Sequence, residues 1–227
     1  MKRQIITTKD GSKTIQLTDW NEQYHSIHGA VQEAQHVFLK MGLWHILERN
    51  TQVTEMPMRI LEMGFGTGLN AFLTFLESIQ NNVAIDYTGV ESYPITLEEA
   101  FTLDYPKQIG SSNQVDAFVK MHEMPWDESI GISDHFQLTK RKQRFEDIQD
   151  SNTFDLIYFD AFGARVQPEL WTETIFKQMH TALKTNGVLV TYSAKGSVRR
   201  ALQAVGFAVE RLPGPPGKRE MLRATKL

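Results

Sequence analysis

Arg59-Ile60-Leu61-Glu62-Met63-Gly64-Phe65-Gly66-Thr67-Gly68-Leu69-Asn70 joins an apolar run to an acidic residue, three alternating glycines and the start of a second apolar pattern. Met58 to Met63 reads as a buried strand of a parallel sheet, and Leu69 to Leu76 carries helical spacing, so the glycines form a strand-to-helix turn. Glycine suits such a turn because a Cβ would block both the tight backbone angles and a ligand's approach, while the helix N-terminus offers free N–H donors. The turn departs from Gly-x-Gly-x-x-Gly, the pyrophosphate fingerprint, by one residue, because the third glycine is Gly68 and position 69 is Leu. No Gly-Lys-Ser/Thr follows, so the lysine of a nucleoside triphosphate cradle is missing. Glu62 would repel a pyrophosphate but attract the cationic amine or sulfonium end of S-adenosylmethionine, which makes that the expected cofactor.

Outward from this turn the pattern alternates: strand 58–63, helix 69–79, strand 84–90, helix 95–103, strand 135–140, strand 154–160, helix 169–183, strand 187–192, helix 197–205, and strands near 207–211 and 219–225. Such alternation predicts an α/β fold with a mostly parallel seven-stranded sheet and helices on both faces. The last two strands lack an intervening helix and are joined by Leu212-Pro213-Gly214-Pro215-Pro216-Gly217, so they are expected to pair antiparallel. Residues 104–134 read as an insertion. Upstream, Gln4 to Leu17 alternates around Lys9-Asp10-Gly11-Ser12 and predicts a hairpin. Gly29 to Leu47 predicts a helix with Gly42 as its weak point. Residues 1–50 are therefore expected to form an N-terminal hairpin and helical extension, and 51–227 the cofactor-binding domain.

With 227 residues and 41% hydrophobic content the chain can bury a substantial core. It holds no 18-residue apolar stretch and its first residues carry no apolar signal segment, so a cytoplasmic location without membrane is expected. The absence of cysteine excludes disulfides, thiolate metal sites and cysteine nucleophiles. The net charge of −3 conceals a local asymmetry. From Lys195 onward eight basic residues, Lys218 and Arg219 among them, face only Glu210 and Glu220, and Lys140, Arg141, Lys142 and Arg144 form a second cluster. Two such clusters on an acidic chain point to a polyanionic partner.

Ligands of open α/β sheets lie beyond the carboxyl ends of the strands, and four acidic residues fall there in succession: Glu62, Glu91, Asp147 and Asp160. One such carboxylate is commonly a helix cap. Four in register suit one ligand: Glu91 could accept from vicinal ribose hydroxyls, Asp147 from an adenine amino group. Asp160 is the candidate for positioning a nucleophilic amine and drawing off its proton. Tyr24, His25, His28, Phe162, Trp171 and Tyr192 are candidates for enclosing an extruded base. His25 and His28 have no third partner at a metal-binding spacing, so no metal is expected.

Several separated motifs resemble a known family. Glu62 to Asn70, Glu91-Ser92-Tyr93-Pro94, Asp160-Ala161-Phe162 with Pro168-Glu169-Leu170-Trp171-Thr172, and Gly217-Lys218-Arg219-Glu220-Met221-Leu222 look like the methyltransferase half of the bacterial tRNA 5-methylaminomethyl-2-thiouridine biosynthesis enzymes. The resemblance runs from about Tyr24 to the last residue, and His28 to Phe38 is similar to a family segment that partly covers the active site. It implies a Rossmann-like class I S-adenosylmethionine-dependent methyltransferase acting on the primary amine of 5-aminomethyluridine at the tRNA wobble position. It further implies a cofactor held by Glu62, Gly64, Gly66, Gly68, Asn70, Glu91, Asp147 and Asp160. Tyr24, His28, Phe162, Trp171, Lys218 and Arg219 would then meet the anticodon stem-loop. The bifunctional relatives carry a flavin-dependent domain after the methyltransferase. This chain stops short of one, so it resembles a stand-alone form with no flavin and with the aminomethyl base as substrate. Relatives also show Lys-Asn before the Pro of the loop after Asp160, where this chain has Gly163-Ala164-Arg165-Val166-Gln167. The competing readings are a small-molecule methyltransferase, an aminopropyltransferase of the polyamine type, and a non-catalytic RNA-binding scaffold.

Overall fold

A computed structural model describes residues 2–49 and 56–227. The N-terminal segment contributes β1 (Arg3–Thr7), β2 (Lys13–Leu17) and β3 (Glu22–Gln23), a small antiparallel sheet in the order β1-β2-β3. The first two strands are the expected hairpin; β3 is an addition too short to carry a periodic signal. The expected helix after Gly29 begins as α1 (Ala30–Ala34), continues in π-helical form over Gln35–Trp44 and ends as α2 (His45–Arg49). Gly42 faces the main sheet at close range. A Cβ there would stand 3.0 Å from Val190 Cγ2 and 3.3 Å from Tyr158 Cε1, so the apparent weak point is what lets the helix close on the strands below. The domain boundary expected at 50–51 falls outside the described residues.

Among the described residues the main sheet has eight strands: β4 (Met58–Met63), β5 (Ile85–Val90), β6 (Ser129–Ser133), β7 (Phe136–Arg141), β8 (Phe154–Phe159), β9 (Leu183–Thr191), β10 (Phe207–Pro213) and β11 (Glu220–Lys226). Their spatial order is β10-β11-β9-β8-β4-β5-β7-β6. The pairs β4–β5, β4–β8, β5–β7 and β8–β9 are parallel, while β9–β11, β10–β11 and β6–β7 are antiparallel. Seven of these strands are the expected ones. The eighth, β6, comes from the stretch read as an insertion, which also forms α5 (Tyr105–Gln108) and α6 (Val115–Glu123) after α4 (Leu97–Leu103). The strand order reverses at β4, with β5 on one side and β8 on the other, and that switch opens a crevice at the carboxyl ends.

Both faces of the sheet are covered, and for that reason Leu156 to Phe159 of β8 are buried without alternation. Tyr158 joins the apolar layer that includes Phe38, Phe72 and Phe75, while Ile157 and Phe159 point into the layer with Trp171, Phe176 and Leu202. Helix α3 (Leu69–Asn81) belongs to the first layer; α7 (Glu173–Ala182) and α8 (Gly196–Ala204) belong to the second. The expected helix at 169–183 is split. Pro168–Trp171 is a 3-10 turn, and Thr172, whose hydroxyl accepts from the Ile175 N–H, starts α7 afresh. No helix among the described residues is long and apolar enough to cross a membrane.

Candidate active site

The glycine turn follows β4 and delivers the chain into α3 with Gly64, Gly66 and Gly68 at φ values of 98°, 50° and 73°. These are left-handed angles that side chains rarely adopt, and close neighbours add a second reason for glycine. A Cβ on Gly64 would stand 2.7 Å from the Asp160 carbonyl oxygen, and one on Gly66 would stand 3.1 Å from the Tyr24 ring. Gly68 is backed by His122 of α6, whose Nε2 would stand 3.0 Å from a Cβ there. Residues 104–134 therefore buttress the turn from behind. The turn is pinned to the second strand as well: the N–H groups of Gly64 and Phe65 donate to the Val90 carbonyl, and that of Gly66 donates to Glu91 Oε2 at 3.1 Å.

Beneath the turn, one amide joins two acids. Asn70 Nδ2, in the first turn of α3, donates at 2.9 Å both to Glu62 Oε1 and to Asp160 Oδ2. Glu62 is 1% exposed, and burial holds its carboxyl well above the usual range despite the Asn70 hydrogen bond. Burial also pushes Asp160 up to about 7; the negative charge of Glu33 adds to this, while the Asn70 bond and the Lys218 cation oppose it. Glu62 Oε2 and Asn70 Oδ1 remain buried acceptors without a hydrogen-bond partner among the described residues.

Above this floor lies a cleft of about 1120 Å³ including its open mouth. Its lining includes Gly64, Gly66, Asn70, Glu91 and Asp160 from the strand ends, and Phe162, Gln167, Glu169 and Leu170 from the loop after β8. Leu17 of β2 and Trp20, Tyr24 and His25 from the turns flanking β3 form its roof. Two arginines hold that roof from opposite sides. Arg3 donates to the Tyr93 carbonyl at 2.8 Å and pairs with Glu99 at 3.0 Å, whereas Arg165 pairs with Glu22 at 2.8 Å. His25 joins roof to floor, with Nδ1 3.0 Å from the Thr14 hydroxyl and Nε2 3.4 Å from that of Thr67. Burial drives its pKa down to about 4, so it is neutral near pH 7. Tyr24 and Trp20 meet Phe162 edge to face, at centroid distances of 4.9 and 6.1 Å.

Of the residues expected at the site, the structure brings Gly64, Gly66, Asn70, Glu91, Asp160, Tyr24, His25 and Phe162 to the cleft and sets Glu62 and Gly68 directly behind it. It places the others elsewhere. Asp147 is exposed in a 3-10 turn, and its neighbours Phe145 and Glu146 line the cleft instead, because the short turn rotates successive side chains away from one another. Trp171 is buried and uses its indole N–H to hold the Phe162 carbonyl at 2.8 Å; Tyr192 holds the Ala161 carbonyl at 2.8 Å in the same way. Both brace the Asp160 loop from below. His28 packs on Gly217, and Lys218 forms an ion pair with Glu33. Arg219, with its side chain 90% exposed, is left facing solvent beside Glu220.

The basic clusters are likewise partly spent within the fold. Lys140 is 1% exposed, donates to the His122 carbonyl at 2.8 Å and lies over the Trp126 ring, while Arg141 forks onto Asp150 at 2.6 and 3.2 Å. Arg223 does the same to Glu210, and Lys226 caps the Leu183 carbonyl. Lys195, Arg200 and Arg219 remain exposed. Trp20, Phe65, Phe145, Glu146 and Glu169 were not assigned to the site from sequence yet line the cleft, as do Arg144 of the second basic cluster and Gln167 of the loop that departs from the family. Phe65 stood within the glycine turn, and Glu169 within a family motif, so two of them had a signal. Among the described residues no three His, Cys, Asp or Glu side chains are grouped to hold a metal ion.

The arrangement fits S-adenosylmethionine. Two glycines keep the cradle clear, Glu91 presents a carboxylate at the rim, and the Asn70–Asp160 floor supplies acceptors, one of them unpartnered, where a cationic amine would be welcomed. Residues 135–227 match the model of a family described as S-adenosyl-L-methionine-dependent methyltransferase. The tRNA 5-methylaminomethyl-2-thiouridine biosynthesis bifunctional protein MnmC of Marinomonas sp. is 31% identical over 220 residues, which covers 89% of this chain and 31% of that protein. The chain thus spans about a third of the length of the curated relatives it matches. The crystal structure of MNMC2 from Aquifex aeolicus superposes with a TM-score of 0.71 at 25% identity, over 98% of this chain and 70% of that one. Spermidine synthase from Thermotoga maritima shares the fold, with a TM-score of 0.58 at 15% identity over 99% of this chain and 68% of that one. The chain has the Rossmann-like fold of S-adenosyl-L-methionine-dependent methyltransferases, matches that family's model over residues 135–227, and is similar to about a third of the bifunctional tRNA 5-methylaminomethyl-2-thiouridine biosynthesis proteins.

Proposed function

We propose that this chain transfers methyl from S-adenosylmethionine to the amine of 5-aminomethyl(-2-thio)uridine at the tRNA wobble position, giving 5-methylaminomethyl(-2-thio)uridine. The names of the relatives support the nucleoside, and Asp160 is the observation that carries the amine: a carboxylate at the floor of an aromatic-walled cleft. When bound, the cofactor supplies an activated methyl group on a sulfonium. Asp160 accepts a hydrogen bond from the amine, fixes the direction of its lone pair and takes up the proton released. A carboxyl with its pKa raised to about 7 suits that task, since a base works best when its pKa lies near the working pH. Positioning dominates the remainder.

In this reading Asn70, with Glu62 behind it, orients Asp160 and the cofactor's amine end, Gly64, Gly66 and Gly68 form the cradle, and Glu91 receives the ribose. Phe145 and Glu146 take the adenine role expected of Asp147. Tyr24 and Phe162 wall the extruded base, and Arg219 with Lys195 and Arg200 meets phosphates of the anticodon stem-loop. Residues 1–50 act as the cover and 51–227 as the transferase unit, working on tRNA in the cytoplasm. The test is incubation with labelled S-adenosylmethionine and tRNA from a strain lacking this methylation, followed by digestion to nucleosides. Label in a methylaminomethyluridine is expected; no label in any tRNA would defeat the reading.

A further inference from the structure

The turn between β10 and β11 meets the start of α1 beside the Asp160 loop, and the contacts there form a chain. Lys218 Nζ pairs with Glu33 Oε1, and Glu33, 7% exposed, accepts from the Ser26 N–H through its other oxygen at 2.9 Å. The same ammonium lies 3.9 Å from the centroid of the Tyr192 ring, whose hydroxyl donates to the Ala161 carbonyl at 2.8 Å. His28 closes the seam by packing where a Cβ on Gly217 would overlap its ring. A solvated phosphate-binding lysine would not be held between a buried carboxylate and an aromatic face in this way.

We propose that Glu33 and Lys218 are positioning residues for the transfer reaction: braced on Tyr192, the pair fixes the backbone that carries Asp160 and balances the charge its carboxylate faces. Only the activity arm of the test rests on the methyl-transfer reading above. The charged and titratable groups around Asp160 are Glu33 from α1, Lys218 from the β10–β11 turn, Tyr192 after β9, and Glu62 and Tyr87 from β4 and β5. Glu33 and Lys218 act on it with opposite signs, so single and paired replacements give distinct results.

The experiment follows the Asp160 carboxyl carbon by NMR in carboxyl-labelled protein, the signal being assigned by its loss in Asp160→Asn. Glu33→Gln should move the titration midpoint down and Lys218→Met should move it up, each by about one pH unit, while the double variant returns close to wild type. Lys218→Arg, which keeps the charge, should titrate like wild type. In the activity arm Lys218→Met should lower kcat about tenfold, the rate equivalent of about one pH unit of charge interaction, and leave the salt dependence of tRNA binding unchanged. Unmoved midpoints in Glu33→Gln and Lys218→Met would overturn the proposal. So would a flattened salt dependence with unchanged kcat in Lys218→Met, which would make Lys218 a phosphate contact. Should Lys218→Met fail to fold, Glu33→Gln decides alone. Should wild type transfer no methyl to tRNA, the reaction assignment falls and the titration still judges the pair.

Discussion

The floor of the cleft is made of residues close in sequence or at the ends of neighbouring strands, whereas its roof is made of residues brought in from the far end of the chain. Glu62, Gly64, Gly66 and Asn70 lie within nine positions, and Glu91 and Asp160 follow the two strands that flank β4. Once the sheet forms, their meeting is settled by topology. Leu17, Trp20, Tyr24 and His25 meet the floor through long-range contacts, among them the Arg3 and Arg165 tethers, the His25 bridge and the packing of Trp20 and Tyr24 on Phe162. A floor of this kind cannot be changed without disturbing fold or chemistry, while a roof of this kind can be loosened and still leave a folded protein. That distinction is open to direct attack.

The largest effect should come from the floor. Asp160→Asn keeps the shape and one acceptor for Asn70 but removes the base, so turnover at saturating cofactor should fall by about 10²–10⁴-fold, whatever loss of cofactor affinity calorimetry shows beside it; normal turnover would end its assigned role. The same replacement tests burial. The folded-state pKa of Asp160 is raised from 3.8 to about 7, so its contribution to stability is fully present below pH 3.8 and lost as pH rises through 7. Wild type should therefore be least stable relative to Asp160→Asn above pH 7, in thermal melts at matched salt. Next in size is Gly64→Ala, which combines a left-handed φ with overlap of the Asp160 carbonyl. Strain of about 1–3 kcal/mol should lower Tm and weaken the cofactor together; an unchanged Tm would show that the turn can relax.

The roof should respond to acid before the floor does. His25 has its folded pKa lowered from 6.5 to about 4, so its contribution to stability is present above 6.5 and is lost as pH falls through 4. Protonation there puts a buried cation into the bridge between Thr14 and Thr67, at a desolvation cost that favours opening. Amides of β1 and β2, corrected for intrinsic rates, should gain hydrogen exchange between pH 6.5 and 4 while those of β4 and β8 stay protected. His25→Gln should remove that step. Equal loss of protection in both regions would mean that roof and floor open as one unit.

The same division explains what was legible in the sequence. Strand and helix alternation, the glycine turn and the acidic strand ends are local signals repeated along the chain, and they prefigured the parallel sheet and most of the floor. β6 was missed because Ser129–Ser133 has weak alternation and takes its place only by pairing with β7. The roof was harder still: Trp20 and Arg165 carry no local motif, and their contacts span more than 140 positions. Charge counting misled for a related reason. Lys140, Arg141, Lys218 and Arg223 count as basic in composition, yet each is occupied by a carbonyl, carboxylate or ring that only the folded chain supplies.

The smallest effect, and the sharpest separation of the two regions, should come from Arg165→Ala. Its guanidinium pairs with Glu22 at 2.8 Å and reaches the Trp20 and Asn21 carbonyls only at 3.5 and 3.4 Å. The side chain is 62% exposed, so the pair is worth less than about 1 kcal/mol and Tm should scarcely move. Trp20 nevertheless stands over Phe162, and loss of the tether frees β3 to move away from the Asp160 loop. A looser roof costs order in the bound base while leaving the cradle intact. KM for the RNA substrate should therefore rise with kcat and cofactor affinity close to wild type, in steady-state assays and calorimetry. A matching fall in cofactor affinity would show that Arg165 supports the floor through the 161–167 loop, and the separation of floor from roof would no longer hold.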